Sequence, residues 1–210
     1  MTAEAAPHTT STDLLVLHAL RCSGFSGLAR LSEVTGLTST DVESELIDLA
    51  VAGLVTRVPG EFGGWGLTEA GRTADAERIA AELEAAGARP TATKAYEGFL
   101  DLNPELLDLC TAWQMRSVDG VLTANDHADP AHDARVLDLF ADLDRRTAAV
   151  CADLSASLLR FQRYRTRLSG ALANARAGAP EQIADATSSY HAVWAQLHED
   201  LLVTLGIPRY

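Results

Sequence analysis

The chain has 210 residues, 47% of them apolar and 22% charged, which is enough for one large or two small globular cores. No apolar run approaches the ~20 residues that span a bilayer, and MTAEAAPHTTSTD lacks the basic segment and apolar stretch of a secretory signal, so a cytoplasmic location without membrane contact is expected. The net charge of −12, with Lys94 the single lysine among 17 basic residues, sets a negative field that repels nucleic acid unless a local basic patch overcomes it.

Residues 1–11 are small and polar and read as a disordered tail. From Asp13, Leu14, Leu17 and Leu20 recur at helical spacing, with Leu15 and Val16 widening the face, until Ser23-Gly24 stops the helix. A short second helix, GLARLSEVTG, turns Leu28, Leu31 and Val34 inward and ends at Gly36. Thr38, Ser39 and Thr40 offer caps for a third, whose inward face is Val42, Leu46, Leu49 and Ala50 and which ends at Gly53. LVTRV then alternates as a strand, PGEFGG turns, and WGL returns. Thr68 starts a fourth helix that runs to Gly87.

Gly87-Ala88-Arg89-Pro90 reads as the domain boundary, giving one domain over 12–87 and another over 91–210. The second half reads as helices over about 91–102, from Asn103-Pro104 to Arg116, from Pro130 to Leu158, over 160–177 and over 181–205, with SVDGVLTANDHADP as a loop. The fold expected is therefore mainly α: a helix-turn-helix with a two-stranded wing, followed by a helical bundle, with sheet confined to about 53–68.

The stretch GLTSTDVESELIDLAVAGLVTRV followed by GWGLTEAGR resembles the MarR-type winged helix, over about residues 12–87. In that family a "GLv.R" strand follows the third helix and "LTeaGr" opens the next. GFLDLNPELLDLCTAWQMR, NDHADPAHD and YHAVWAQLHEDLLVTLGI resemble actinobacterial winged-helix proteins that occur beside, or fused to, enzymes similar to pyruvate phosphate dikinase. The resemblance implies a DNA-binding transcriptional regulator acting as a homodimer on double-stranded DNA, its bundle sensing a small-molecule effector or mediating dimerisation. The alternative is an interaction module, without DNA binding, for a phosphotransfer enzyme of the pyruvate phosphate dikinase type.

For a DNA reader, the third helix turns Ser39, Thr40, Glu43, Ser44 and Ile47 outward to base edges, with Arg57 on the wing and Arg30 on the second helix as the available cations. The charge opposes tight binding: residues 1–90 hold six arginines against thirteen acidic residues. A regulator therefore requires a positive strip joining Arg30, Arg57 and the third helix, whereas an interaction module would show an acidic or apolar patch there.

In the second half, His191, Trp194 and His198 share one helical face and, with Trp113 and Tyr190, form a candidate ligand pocket, for which Arg163 or Arg165 supplies a counter-charge if the ligand is an anion. The competing readings are a packed core face and arginines paired with the protein's own carboxylates. NDHADPAHD reads as an Asp129 cap before Pro130, with metal ligation as the alternative. Cys22, Cys110 and Cys151 form no CxxC pair and read as buried thiols, with a redox sensor as the alternative. No glycine-rich phosphate loop, nucleophile elbow, HExxH or paired-cysteine zinc motif occurs, so no catalytic residues, cofactor or metal are expected.

Overall fold

The computed structural model describes residues 6–60, 63–118 and 120–208. Among the described residues the chain is mainly helical and carries two small antiparallel two-stranded sheets. It divides into two compact units, one of Met1–Thr93, Leu154–Arg163 and Gln196–Tyr210, the other of Lys94–Asp153 and Tyr164–Ala195. The two units are thus not simply the halves on either side of Gly87–Pro90: the first also takes two segments from the second half of the chain. Among the described residues no helix is long and apolar enough to cross a membrane.

In the first unit the order is α1 (Thr12–Ser23), α2 (Leu28–Thr35), α3 (Ser39–Val51), β1 (Val55–Val58), β2 (Gly64–Leu67) and α4 (Glu69–Ala85). Thr38 caps α3 by accepting from the Asp41 amide at 3.2 Å, and Gly36 takes the left-handed conformation (φ 76°) that closes α2. Val16, Leu17 and Leu20 of α1 meet Leu31 and Val34 of α2, Val42, Leu46 and Leu49 of α3, and Val55 and Trp65 of the hairpin in one core. Ser26 adds a one-residue bridge to β2, donating to and accepting from Trp65 at 3.0 and 2.9 Å. Glu61 and Phe62 of the expected turn lie outside the described residues. So do residues 1–5 of the expected tail, whereas its later part is held against the rest of the first unit. The His8 amide donates to the Ser157 carbonyl at 2.9 Å, and Thr10 is buried against Glu82.

Gly71 explains the glycine of LTEAGR. A Cβ there would lie 1.9 Å from the Leu54 carbonyl oxygen, so only glycine lets the first turn of α4 approach the end of the α3–β1 link. Gly71→Ala is expected to cost about 1–3 kcal/mol by overpacking, measured by urea denaturation. A neutral substitution would mean that α4 and Leu54 separate freely.

The second half of the chain departs more from its sequence reading. Its first helix is continuous: α5 (Arg89–Gln114) contains Pro104 in its interior instead of starting there. Pro104 is exposed, so solvent is at hand for the hydrogen bond that its ring cannot make. The helix ends at Gln114, and Met115 and Arg116, expected in it, belong to a strand. The segment expected as a loop contains the hairpin β3 (Met115–Val118) and β4 (Val121–Ala124), paired Met115 with Ala124 through Val118 with Val121. This is the correction to the single-sheet expectation. Beyond it come α6 (Pro130–Ser157), a 3₁₀ turn (Leu159–Phe161), α7 (Gln162–Arg176), α8 (Glu181–Ala184) and α9 (Tyr190–Leu205). The expected final helix over 181–205 is thus two helices, with Ser189 buried between them.

Candidate functional site

The outer surface of α3 and the β1–β2 hairpin is where a reader would contact DNA. Ser39, Thr40, Glu43, Ser44 and Arg57 are all exposed on it. Ser39 Oγ lies 3.2 Å from Ser32 Oγ, and the Arg57 guanidinium stacks over Trp65 at 5.6 Å. Arg30 is half-buried, and its Nη1 donates to Glu33 Oε1 at 2.8 Å, which spends its charge on a neighbour. Between these groups the α3 face shows Ile47, 52% exposed, and Val51, 85% exposed, beside the exposed acids Asp41 and Asp48. A hollow of about 150 Å³ separates α3 from the hairpin, lined among others by Leu28, Glu43, Arg57, Val58 and Trp65. The surface is therefore mixed apolar and acidic, with Arg57 at its margin.

The candidate pocket residues of the second unit are packed. Trp194 stacks on Phe99 with ring centroids 4.6 Å apart, and its Nε1 donates to Asn103 Oδ1 at 2.9 Å. Tyr190 is buried edge-on to Phe140, and its hydroxyl donates to Asp144 at 3.3 Å. Burial pushes the Tyr190 pKa far up, with the Asp144 charge adding to it. Trp113 is 2% exposed and its Nε1 donates to the Pro180 carbonyl. His191 is half-buried in this unit, whereas His198, also half-buried, belongs to the first. Arg165 donates to Asp144 at 2.6 Å in the second unit, and Arg163 to Asp200 at 3.3 Å in the first. The arginine run thus pairs with the protein's own carboxylates.

NDHADPAHD is a structural knot. Asp129 Oδ1 accepts from the amides of Ala131 and His132 at 3.0 and 3.1 Å, the cap that starts α6. Asn125 Nδ2 donates to the Trp113 carbonyl and to Asp133, and His127 Nδ1 meets Asp133 Oδ2 at 3.0 Å. His132 Nε2 lies 2.9 Å from the Ala112 carbonyl. Cys110 and Cys151 are buried thiols whose pKa values burial pushes up to about 11.

The polar centre of the first unit went unsuspected from the sequence. His18 of α1 is fully buried between Asp75 of α4, 3.0 Å from Nδ1, and Asp200 of α9, 3.1 Å from Nε2. Cys22 Sγ, one turn on, lies 3.5 Å from the same Nε2. Arg160, 5% exposed, donates to Asp200, to Glu82 at 3.0 Å and to Thr204 at 2.7 Å. Burial works against charge on His18, but the fields of Cys22, Asp200 and Asp75 outweigh it and hold its pKa well above the usual imidazole range. Burial would likewise raise Asp200, and Arg160, His18 and Arg163 instead hold it well below the usual carboxylate range. The sequence signal was slight: a histidine and a cysteine four apart on the apolar face of LLVLHALRCS.

Comparison of the chain with protein-family models, curated proteins and solved structures finds no match.

Proposed function

We propose that residues 12–87 are a winged helix of the MarR type that serves as a protein-docking module, with α3 and the β1–β2 wing as the docking face. The observation that carries this reading is the composition of the outward face of α3. Where a DNA reader needs cations against phosphate, α3 holds no Lys or Arg and exposes Ile47 and Val51 among Asp41, Glu43 and Asp48. An apolar centre with a charged rim suits a protein partner that brings apolar and basic groups. The resemblance of the whole chain points to a phosphotransfer enzyme of the pyruvate phosphate dikinase type as that partner, in the cytoplasm.

A second reading, a homodimeric regulator on double-stranded DNA, rests on Arg57 and on the exposed hydroxyls of Ser39, Thr40 and Ser44. Its effector would have to reach a bundle whose aromatic residues are packed.

The two readings separate on one pair of substitutions. Ile47→Arg with Val51→Arg is expected to weaken binding to a purified enzyme of the pyruvate phosphate dikinase type at least about tenfold by calorimetry, roughly 1.4 kcal/mol, with helical content unchanged. The same change adds cations to α3, so it would strengthen binding if the face met DNA. Recovery of an enriched genomic sequence by the purified protein at moderate salt, lost on Arg57→Ala, would sink the docking reading.

A further inference from the structure

We propose that His18, Cys22 and Asp200 form a binding site for a divalent transition-metal ion of the zinc class, with Asp75 orienting the histidine. His18 Nε2, Cys22 Sγ and a carboxylate oxygen of Asp200 all lie within 4.8 Å of one another. Zinc takes thiolate sulfur at ~2.3 Å, imidazole nitrogen at ~2.0–2.1 Å and carboxylate oxygen at ~2.0–2.2 Å, so a tetrahedral ion spaces S and N by about 3.6 Å and N and O by about 3.4 Å. The structure spaces them at 3.5 Å and 3.1 Å. Two of the three edges thus already stand close to those of a zinc tetrahedron, the third, from Cys22 Sγ to the Asp200 oxygen, is within 4.8 Å, and the fourth corner is left to water or an exogenous ligand.

The orienting shell is also in place. Asp75, fully buried, meets His18 Nδ1 at 3.0 Å, the carboxylate–histidine arrangement that turns Nε2 toward Cys22 and Asp200, where an ion would take the place of the Nε2 proton. The second Asp200 oxygen accepts from Arg163 at 3.3 Å, and Arg160 donates to Oδ1 as well as to Glu82. These two guanidinium groups are balanced by Asp200 and Glu82. A dication would in turn be balanced by the Cys22 thiolate and Asp75, so the site reaches neutrality without a further charge. His18 and Asp200 are wholly buried and Cys22 is half-buried, so the thiol marks the side from which an ion arrives. The donor set, one soft and two harder atoms, suits Zn²⁺ or Co²⁺ over Mg²⁺ or Ca²⁺. This inference concerns the interior of the first unit and does not depend on what α3 contacts.

The test uses the full-length protein, stripped of metal by a chelator and dialysed, then titrated with Zn²⁺ against a chromophoric competitor and with Co²⁺ by absorption. One equivalent of each is expected to bind, and Co²⁺ should show thiolate-to-cobalt charge transfer in the near ultraviolet. Cys22→Ser should abolish that band and weaken Zn²⁺ by at least about tenfold, while Cys110→Ser keeps both. Asp75→Asn, which removes only the orienting group, should keep one-to-one binding at roughly 10–100-fold lower affinity. Circular dichroism shows whether each variant is folded, and Cys22→Ala stands in if the serine variant is not. Absence of binding at micromolar Zn²⁺, or a cobalt band that survives removal of the Cys22 thiol, overturns the site.

Discussion

Arg160→Ala is expected to destabilise the protein by about 3–5 kcal/mol, because it strips the guanidinium from two buried carboxylates. Arg160 bonds Glu82, Asp200 and Thr204 in an interior where Asp200 is wholly buried and Glu82 is 6% exposed. Asp200 keeps His18 and Arg163, and Glu82 keeps Thr10, but each loses its charged bond to Arg160 in a largely dry interior, so each must either remain charged at a higher desolvation cost or take up a proton. Urea denaturation followed by circular dichroism measures the loss. Adding Glu82→Gln to Arg160→Ala should recover part of it, since one of the orphaned charges is then gone. A loss below about 1 kcal/mol would mean that the cluster is as well screened as a surface pair, contrary to its burial.

Trp194→Ala is expected to cost about 3–5 kcal/mol through the cavity that it leaves. The indole fills the space between Phe99 and Tyr190, with centroids at 4.6 and 6.4 Å, and its removal also strands the side chain of Asn103. The sequence left two readings open: a pocket wall, which would cost less to remove, and a packed core face, which would cost this much. A loss under about 1.5 kcal/mol, with ligand-induced changes in melting temperature abolished, would return Trp194 to that role.

The elements of the first unit were legible because their signals are local. Thr38 before α3, Gly36 after α2 and the β-branched residues of LVTRV each act within a few residues, and the structure places a cap, a stop and a strand there, although only Val55 of that strand is buried. The β3–β4 hairpin was also written locally, in Asp119-Gly120 between Val118 and Val121. That dipeptide is the strongest short hairpin signal, and it was passed over for the polar NDHADP that follows. Pro104 misled in the opposite direction. A proline after an asparagine reads as a helix start, and only burial of Phe99, Leu106 and Leu109 on one continuous face carries α5 through it. The His18 cluster lay beyond local rules. Its members come from α1, α4, the 3₁₀ turn, α7 and α9, and no spacing relates a histidine at 18 to an aspartate at 200.

That last distance also matters during synthesis. At ~5–20 residues per second, a ribosome makes Asp200 roughly 10–35 s after His18. In the later part of that interval α1 to α4 have been made ahead of their partners, with His18 and Asp75 meant for an interior that Arg160 and Asp200 have yet to complete. The helix-and-wing segment must therefore wait, its polar seam still open to water, and it becomes a finished unit only when the last helix of the described chain arrives to close it.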